Sequence, residues 1–223
     1  MGQTRTITAL EIQKRNKERV NVYLDGEFAF GLNLMAAAQL RKGQQLSEAD
    51  IVALRDSDAI TQAIERAVRL LARRPRSIQE IRRKLQDKDI PETVINAAIE
   101  RLTERGYLDD REFARYWVEN RKMFKPMGAR ALRYELRQKG ISNAIIDQIL
   151  AEMVEDDSAA YMAAQKRALR LRGKTQAEFR QKLGAYLQRR GFGYDAIRQA
   201  IAQLIEAYEA EDPNFFTSEV EGE

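Results

Sequence analysis

Two residue types are missing from this chain of 223 residues, which has no cysteine and no histidine. Without cysteine there is no disulfide, no thiolate nucleophile and no cysteine-based zinc site. Without histidine the Ser-His-Asp triad is excluded, and the most frequent general base and metal ligand is absent. Any catalysis would then need carboxylates, lysine, tyrosine or a bound cofactor. We expect a protein that is not an enzyme, and we predict no metal and no cofactor.

Long apolar runs are missing as well. No stretch of 18 apolar residues occurs, and the N-terminus lacks the apolar core of a secretion signal. The lack of cysteine also fits a reducing compartment, where disulfides are rare. These features predict a cytoplasmic protein with no membrane partner.

Proline and glycine are scarce, with four and twelve residues, whereas strong helix formers dominate. This composition predicts a mostly α fold. The first 57 residues are the exception, because alternating apolar residues over 20–24 and 28–32 flank Asp25-Gly26. That pattern predicts a β-hairpin, since both turn residues tolerate positive φ. Short helices are expected over 33–40 and 47–54.

A repeat of 51 residues organises the rest of the chain. Seven apolar positions of the first copy stay apolar when they are shifted by 51 and by 102. They are Ile81, Leu85, Ile90, Val94, Ile95, Ile99 and Leu102, then Leu132, Leu136, Ile141, Ile145, Ile146, Leu150 and Met153, then Leu183, Leu187, Phe192, Ala196, Ile197, Ile201 and Leu204. Pro75 and Pro126 are related by the same shift. Such self-similarity indicates a tandem array.

Each copy is predicted to fold as three helices. The first helices are expected over 58–72, 110–123 and 156–172, the second over 77–88, 128–139 and 175–190, and the third over 91–105, 142–155 and 194–209. Ser77 with Glu80, and Thr175 with Glu178, match capping boxes at the start of second helices. Because one such unit buries little apolar surface alone, the units should stack into an elongated, solenoid-like array.

The predicted domains follow from this pattern. They are the N-terminal β-hairpin and short helices (1–57), repeat one (58–108), repeat two (109–155), repeat three (156–209) and an acidic tail (210–223). Residues 206–223 carry seven acidic side chains and the helix breaker Pro213. We expect the tail to be disordered, and we expect it to shield the basic surface when no partner is bound.

Charge is distributed unevenly within every repeat, although the whole chain carries only +4. The turn and second helix are basic in each copy, with net charges of +5 over 73–88, +6 over 115–139 and +8 over 166–190. The third helix of repeat two is acidic, with five acidic and no basic residues over 142–157. Stacked repeats would align the basic elements into a stripe of roughly 60–80 Å.

The stripe supplies the candidate binding residues, which are all arginine or lysine. They are Arg73, Arg74, Arg76, Arg82, Arg83, Lys122, Lys125, Arg130, Arg133, Arg137, Arg167, Arg170, Arg172 and Arg180. An extended basic stripe suits DNA or a polymeric protein assembly. The alternative is a solvated helix face with no partner. Because neighbouring residues on a helix point about 100° apart, we expect only about half of the set to contact a partner.

Two other patterns need an interpretation. Gly173-Lys174-Thr175 resembles the end of a phosphate-binding loop, but Ala168 stands where that loop requires glycine, so we predict no nucleotide site.

Tyr116 and Trp117 are neighbours on a predicted helix. One of them should belong to the core and the other should be free for a partner, and the sequence does not decide which.

Several motifs resemble the RecX regulatory protein family over residues 7–209. They are Tyr23 to Leu32, Arg73-Arg74-Pro75-Arg76-Ser77, Arg82-Arg83-Lys84-Leu85, Gly106-Tyr107-Leu108-Asp109-Asp110, Phe113-Ala114, Glu135 to Ile141, Lys182-Leu183, Tyr186-Leu187 and Arg190-Gly191-Phe192. Repeat three matches less closely than the other two, and the acidic tail lies outside the resemblance.

The resemblance implies three tandem three-helix repeats and a regulatory role without catalysis. Members of this family bind the RecA recombinase filament on DNA along its groove. They usually inhibit strand exchange, ATP hydrolysis and the coprotease activity that triggers the SOS response in DNA repair. The expected partners are thus the RecA filament and DNA, both single-stranded and double-stranded, for a protein that is itself a monomer. The alternative is a protein that binds DNA alone through tandem three-helix units.

Overall fold

The computed structural model describes residues 4–217. The chain divides into two compact units, Met1–Leu108 and Asp109–Glu223. The first unit contains an antiparallel sheet and repeat one, and the second contains repeats two and three. No helix among the residues described is long and apolar enough to cross a membrane.

Four strands form the N-terminal sheet in the order β3-β2-β1-β4. They are β1 (Thr4–Ile12), β2 (Arg19–Leu24), β3 (Glu27–Asn33) and β4 (Gln45–Ser47), and the short helix α1 (Leu34–Ala37) lies between β3 and β4. Asp25 and Gly26 have φ values of 52° and 90°, which confirms the predicted hairpin turn. Alternate residues of β2, including Val22 and Leu24, are fully buried in a core beneath the sheet.

A single long helix, α2 (Glu48–Leu71), joins the sheet to repeat one. The sequence predicted two helices here, over 47–54 and 58–72, with a domain boundary at residue 57. The prediction of two helices is wrong, because no glycine or proline interrupts residues 48–71 and the capping box of Ser47 and Asp50 opens one continuous helix. The boundary at residue 57 stays a prediction. Asp58, in the middle of this helix, is 6% exposed and pairs with Arg19 at 2.8 Å.

Asp58 also accepts hydrogen bonds from the Asn33 backbone N–H (2.9 Å) and the Gln62 side chain (2.7 Å). Every oxygen of this buried carboxylate therefore has a partner, and the sheet is tied to α2 by a satisfied polar cluster.

The remaining helices follow the predicted three-helix plan. Repeat one adds α3 (Ile78–Gln86) and α4 (Glu92–Glu104) to α2. Repeat two consists of α5 (Asp110–Phe124), α6 (Ala129–Gln138) and α7 (Asn143–Met153). Repeat three consists of α8 (Asp156–Ala168), α9 (Gln176–Arg189) and α10 (Tyr194–Glu211). A 3₁₀ turn over Leu169–Leu171 extends α8. No strand occurs in the described chain beyond Ser47, which confirms a mostly α fold with tandem repeats.

The 51-residue period marks the core of each repeat. Leu85, Leu136 and Leu187 are all 0% exposed, which confirms them as equivalent core positions. The turn between the second and third helices is also shared, because Asp89, Gly140 and Gly191 lie 51 residues apart and all have positive φ. A left-handed residue of this kind ends the second helix in each copy.

Repeats two and three meet through backbone at two glycines. The Gly128 N–H donates to the Arg190 carbonyl at 3.0 Å, and a Cβ added at Gly128 would lie 2.4 Å from the Gly191 carbonyl oxygen. Asp156, at the start of α8, accepts a hydrogen bond from the Ala129 N–H at 3.0 Å. The contact therefore leaves no room for a side chain and holds the start of α6 against repeat three.

The described part of the acidic tail differs from the expected disorder. After α10, Phe215 is 4% exposed and stacks on Tyr208 with ring centroids 4.5 Å apart. Its carbonyl accepts from the Gly173 N–H at 2.9 Å, and the Thr217 N–H donates to the Lys174 carbonyl at 3.2 Å. Residues 210–217 thus pack on repeat three because two aromatic side chains, Phe215 and Phe216, have a core to join. Residues 218–223 of the predicted tail lie outside the described residues.

Candidate basic interface

The predicted basic residues lie in the turn after each first helix and along each second helix. Ser77 and Thr175 accept from the backbone N–H groups of Glu80 and Glu178 and start α3 and α9, as predicted. Thr175 with Glu178 forms a complete capping box. These starts place the turn residues at the surface and one face of each second helix toward the core.

In repeat one, three of the five candidates have partners inside the repeat. Arg74 makes two hydrogen bonds to Glu80 at 3.0 and 3.2 Å. Arg76 donates to the Leu70 carbonyl at 3.2 Å, and desolvation by burial lowers the pKa of its guanidinium. Such a group remains charged at any physiological pH.

Arg82, the third of these candidates, crosses from α3 to α4. It pairs there with Glu92 and donates to Asn96 at 2.7 Å. Arg73 and Arg83 are exposed, and within residues 4–217 their side chains have no ion pair or hydrogen bond.

In repeat two, the same bridging occurs between α6 and α7. Arg133 pairs with Asp147 at 2.8 Å, and Arg137 donates to Asn143 at 2.9 Å. Arg130 instead donates to the Gln188 carbonyl of repeat three at 3.2 Å.

Lys122 and Lys125 are exposed and have no side-chain partner in the part of the chain that the structure describes. Lys125 is the counterpart of Arg74, but Ala131 replaces the carboxylate of Glu80 at the matching position, so no acceptor is present.

In repeat three, Arg172 pairs with Asp212 at the end of α10, and Arg180 makes a long contact of 3.4 Å with Gln176. Arg167 and Arg170 are exposed and make no side-chain hydrogen bond or ion pair with any described residue. They lie at the end of α8 and in the 3₁₀ turn that follows it.

The fourteen candidates therefore fall into two groups. Eight are engaged inside the fold, and three of these, Arg82, Arg133 and Arg137, have their acceptors on third helices. The other six have no side-chain partner in the described chain, and we call them the free cations: Arg73, Arg83, Lys122, Lys125, Arg167 and Arg170. Each repeat has two free cations, and five of the six lie at the end of a first helix or in the turn after it.

The sequence did not reveal which carboxylates face which arginines. Glu152 on α7 was one of the residues that made the third helix of repeat two look acidic. In the structure it pairs with Arg111 at 3.0 Å and with Arg115 at 2.6 Å, both on α5. Carboxylates on the third helices of repeats one and two therefore pair with arginines of their own repeat, which leaves fewer cations for a partner than the net charges suggested.

Two exposed apolar side chains beside the free cations were also missed. Met123 and Phe124 are each 75% exposed, between Lys122 and Lys125. The sequence does contain a signal for this apolar surface. At the 51-residue shift Phe124 corresponds to Arg73, so an aromatic residue replaces a charged turn residue of repeat one. Exposed aromatic and apolar groups next to unpaired cations are typical of a surface that contacts another molecule.

The structure also separates Tyr116 from Trp117. Trp117 packs against the core of repeat two, donates from Nε1 to Glu135 at 2.8 Å and has Arg121 4.4 Å from its ring centroid. Tyr116 is 38% exposed. Trp117 is therefore the core residue, and Tyr116 is the one accessible to a partner.

The free cations are side chains that can attract anions. Unpaired guanidinium and ammonium groups attract phosphates or carboxylates without the need to break an internal ion pair first. Among residues 4–217, no group of three or more acidic side chains is placed so that it could hold a metal ion.

Four family models match most of the chain between residues 5 and 201. The model described as the regulatory protein RecX N-terminal domain matches residues 5–47. Models for the first, second and third three-helix domains of RecX match residues 63–102, 109–150 and 155–201.

Individual relatives agree with these matches. The regulatory protein RecX of Bacillus pumilus (strain SAFR-032) is 34% identical over 209 residues, which span 92% of this chain and 80% of that protein. The regulatory protein RecX of Bacillus subtilis (strain 168) is 32% identical over 202 residues, 89% of this chain and 76% of that protein. A crystal structure of regulatory protein RecX superposes with a TM-score of 0.72 at 28% identity, covering 91% of this chain and 99% of that chain.

Proposed function

The chain belongs to the RecX regulatory protein family, and from that premise we propose that it binds the RecA recombinase filament on DNA and lowers its recombinase, ATPase and coprotease activities. The observation that carries this proposal is the distribution of the free cations, with two in every repeat. A partner that binds free cations in all three repeats would be anionic and would offer several acceptor sites, as a nucleoprotein filament does.

The free cations support binding by a simple energetic argument. Arg82 and Arg133 would have to give up acceptors on third helices before they could bind phosphate, whereas Lys125 and Arg170 lose only water. Phe124 adds apolar area beside Lys122 and Lys125, which suits contact with protein as well as with phosphate. The proposed contact surface therefore consists of the ends of the first helices and the turns after them, together with Arg83 on α3.

This arrangement also bears on the alternative of a protein that binds DNA alone. In a helix-turn-helix module, the second helix of the motif enters the major groove and reads bases with free side chains. Here Arg82, Arg133 and Arg137 on second helices are held by acceptors of their own repeats. The filament is the better-supported partner for this reason.

The test is a charge reversal of one free cation per repeat, Arg73→Glu with Lys125→Glu and Arg170→Glu. Arg74 and Arg172 are unsuitable, because their reversal would break pairs with Glu80 and Asp212 inside the fold. We expect the triple variant to stop inhibiting ATP hydrolysis by RecA filaments on single-stranded DNA, and to keep the far-ultraviolet circular dichroism of the unchanged protein.

The matched control reverses three exposed cations elsewhere, Lys42→Glu with Arg101→Glu and Arg105→Glu, and changes the net charge equally. This variant should still inhibit. If the folded test variant inhibits as well as the control at moderate salt, the free cations are a solvated surface and the proposal is wrong. Inhibition only at protein levels that coat the DNA would favour the DNA-binding alternative.

A further inference from the structure

The groove between the second and third helices is closed in repeats one and two. In repeat one, Arg82 on α3 reaches across to Glu92 and Asn96 on α4. In repeat two, Arg133 on α6 reaches across to Asp147 on α7. Each groove is thus covered by an arginine whose charge is balanced on the opposite helix.

The same groove in repeat three is open and its charges are unbalanced. A shift by 51 residues puts Gly184 at the position of the bridging arginine and Arg198 at the position of its acceptor. The second bridge of repeat two, Arg137 to Asn143, is also lost, because Tyr194 replaces the asparagine. Tyr194 is 78% exposed, and the groove beneath it has a volume of about 640 Å³.

Aliphatic side chains form the floor of this groove. Ile197 and Ile201 of α10 lie opposite Gly184 of α9. Ile197 is only partly buried, whereas its counterparts Ile95 and Ile146 are 0% exposed. The missing bridge therefore leaves apolar surface accessible that the other two repeats cover.

Packing does not require glycine at position 184. A Cβ there would lie 3.8 Å from Ile201 and 3.9 Å from Ile197, which are ordinary contact distances. Glycine is less favourable than alanine inside a helix, so this residue is unfavourable for α9 itself. Its effect is that no side chain from α9 covers Ile197 and Ile201 at this position.

Three arginines surround the floor. Arg130, Arg180 and Arg198 line the groove, and no carboxylate lines it among the residues the structure describes. The acidic atom nearest to Arg198 is on Asp195, 4.0 Å away. Arg130 and Arg180 use only neutral acceptors, at 3.2 and 3.4 Å. The rim therefore lacks anionic partners that a ligand could supply.

We propose that this groove binds an acidic peptide segment with an apolar side chain at its centre. The apolar side chain would cover Ile197 and Ile201 above Gly184, and flanking carboxylates would pair with Arg180 and Arg198. A phosphate backbone would satisfy the arginines but would leave the aliphatic floor in water, so a peptide fits better. The site is separate from the free cations and does not depend on the proposed function.

Fluorescence anisotropy of the full chain can test this with a short fluorescein-labelled peptide that has Leu-Phe at its centre and aspartates on both sides. The key variant, Gly184→Arg with Arg198→Asp, rebuilds the bridge of repeat two. We expect it to weaken peptide binding about tenfold, because it closes the floor and removes a charge-assisted contact. Arg105→Gln changes the net charge equally outside the groove and should bind as the unchanged protein does.

A second variant guards against misfolding of the first. Arg180→Gln with Tyr194→Ala changes only exposed side chains and should also weaken binding. Equal binding to either folded variant would overturn the proposal. So would equal binding of a peptide with Ser-Gly at its centre, because the floor would then be unused. The unchanged protein could also bind oligothymidylate and not the peptide, with the oligothymidylate binding lost in the same two variants. That result would assign the groove to nucleic acid and would overturn the proposal as well.

Discussion

Repeats two and three share central buried leucines but differ in the charges around them. Leu136 and Leu187 are both fully buried at equivalent places. In contrast, Arg133 of repeat two is balanced by Asp147, whereas repeat three has Gly184 and Arg198 at those two positions. Apolar periodicity therefore identifies the fold, while the acceptor facing each cation decides whether that cation is structural or available to a partner.

The largest effects should come from the shared core, where the two repeats are alike. Leu136→Ala and Leu187→Ala should each lower the free energy of unfolding by roughly 2–5 kcal/mol, because each removes buried methyl groups and leaves a cavity. Urea denaturation measures the change. Repeat two has a neighbour on either side along the chain, so its variant should lose more.

Tyr134→Ala is the control for these core variants, since Tyr134 is 64% exposed. It should change the free energy of unfolding by less than about 0.5 kcal/mol. Core variants as stable as the control would show that the period does not mark the core.

The next largest effect should come from the contact between the two repeats. Gly128→Ala would place a Cβ 2.4 Å from the Gly191 carbonyl oxygen, so one backbone must move away. We expect a loss of roughly 1–3 kcal/mol in the free energy of unfolding, as for overpacked cores. Thermal melting monitored by circular dichroism tests this, and an unchanged melting temperature would mean that repeats two and three are not in backbone contact.

Gly184→Ala should have the opposite sign and a smaller size. The added methyl group meets Ile201 and Ile197 at ordinary distances, and alanine is the better helix former. Urea denaturation should show a gain of about 0.5–1 kcal/mol. A loss of stability would show that glycine is required for packing and would weaken the case for an open groove.

The smallest effect should be the loss of a bridge in repeat two. Asp147→Ala removes the partner of Arg133, but both side chains are more than one third exposed, so solvent screens the pair. We expect the free energy of unfolding to fall by about 0.5 kcal/mol or less. A double-mutant cycle with Arg133→Ala isolates the pair, and a coupling well above that value would make the bridge a stability element.

Much of the fold could be predicted because it depends on local patterns. The hairpin followed from Asp25-Gly26, and the cores followed from apolar residues that recur every 51 positions. The prediction of two helices over 47–54 and 58–72 was wrong because a change of apolar pattern was interpreted as a helix end, although no glycine or proline interrupts residues 48–71.

The candidate site was harder to predict because pairing depends on distances between helices. Arg115 on α5 pairs with Glu152 on α7, for example, and no local pattern around either residue indicates this pair. The packing of Phe215 was missed for a similar reason, since its ring contacts Tyr208 only after the chain turns back at the end of α10. The net charge of a segment counts its charged residues but does not show which of them are already paired within the fold.

Electron cryo-microscopy of this protein bound to RecA filaments on single-stranded DNA tests the central claim most directly. We predict that all three repeats lie along the filament groove, with most of the free cations within about 4 Å of phosphate or carboxylate oxygens. Arg82 and Arg133 should remain paired with their third helices. A complex in which Arg73, Lys125 and Arg170 all face solvent, or in which the second helices enter the grooves of DNA away from RecA, would contradict the account.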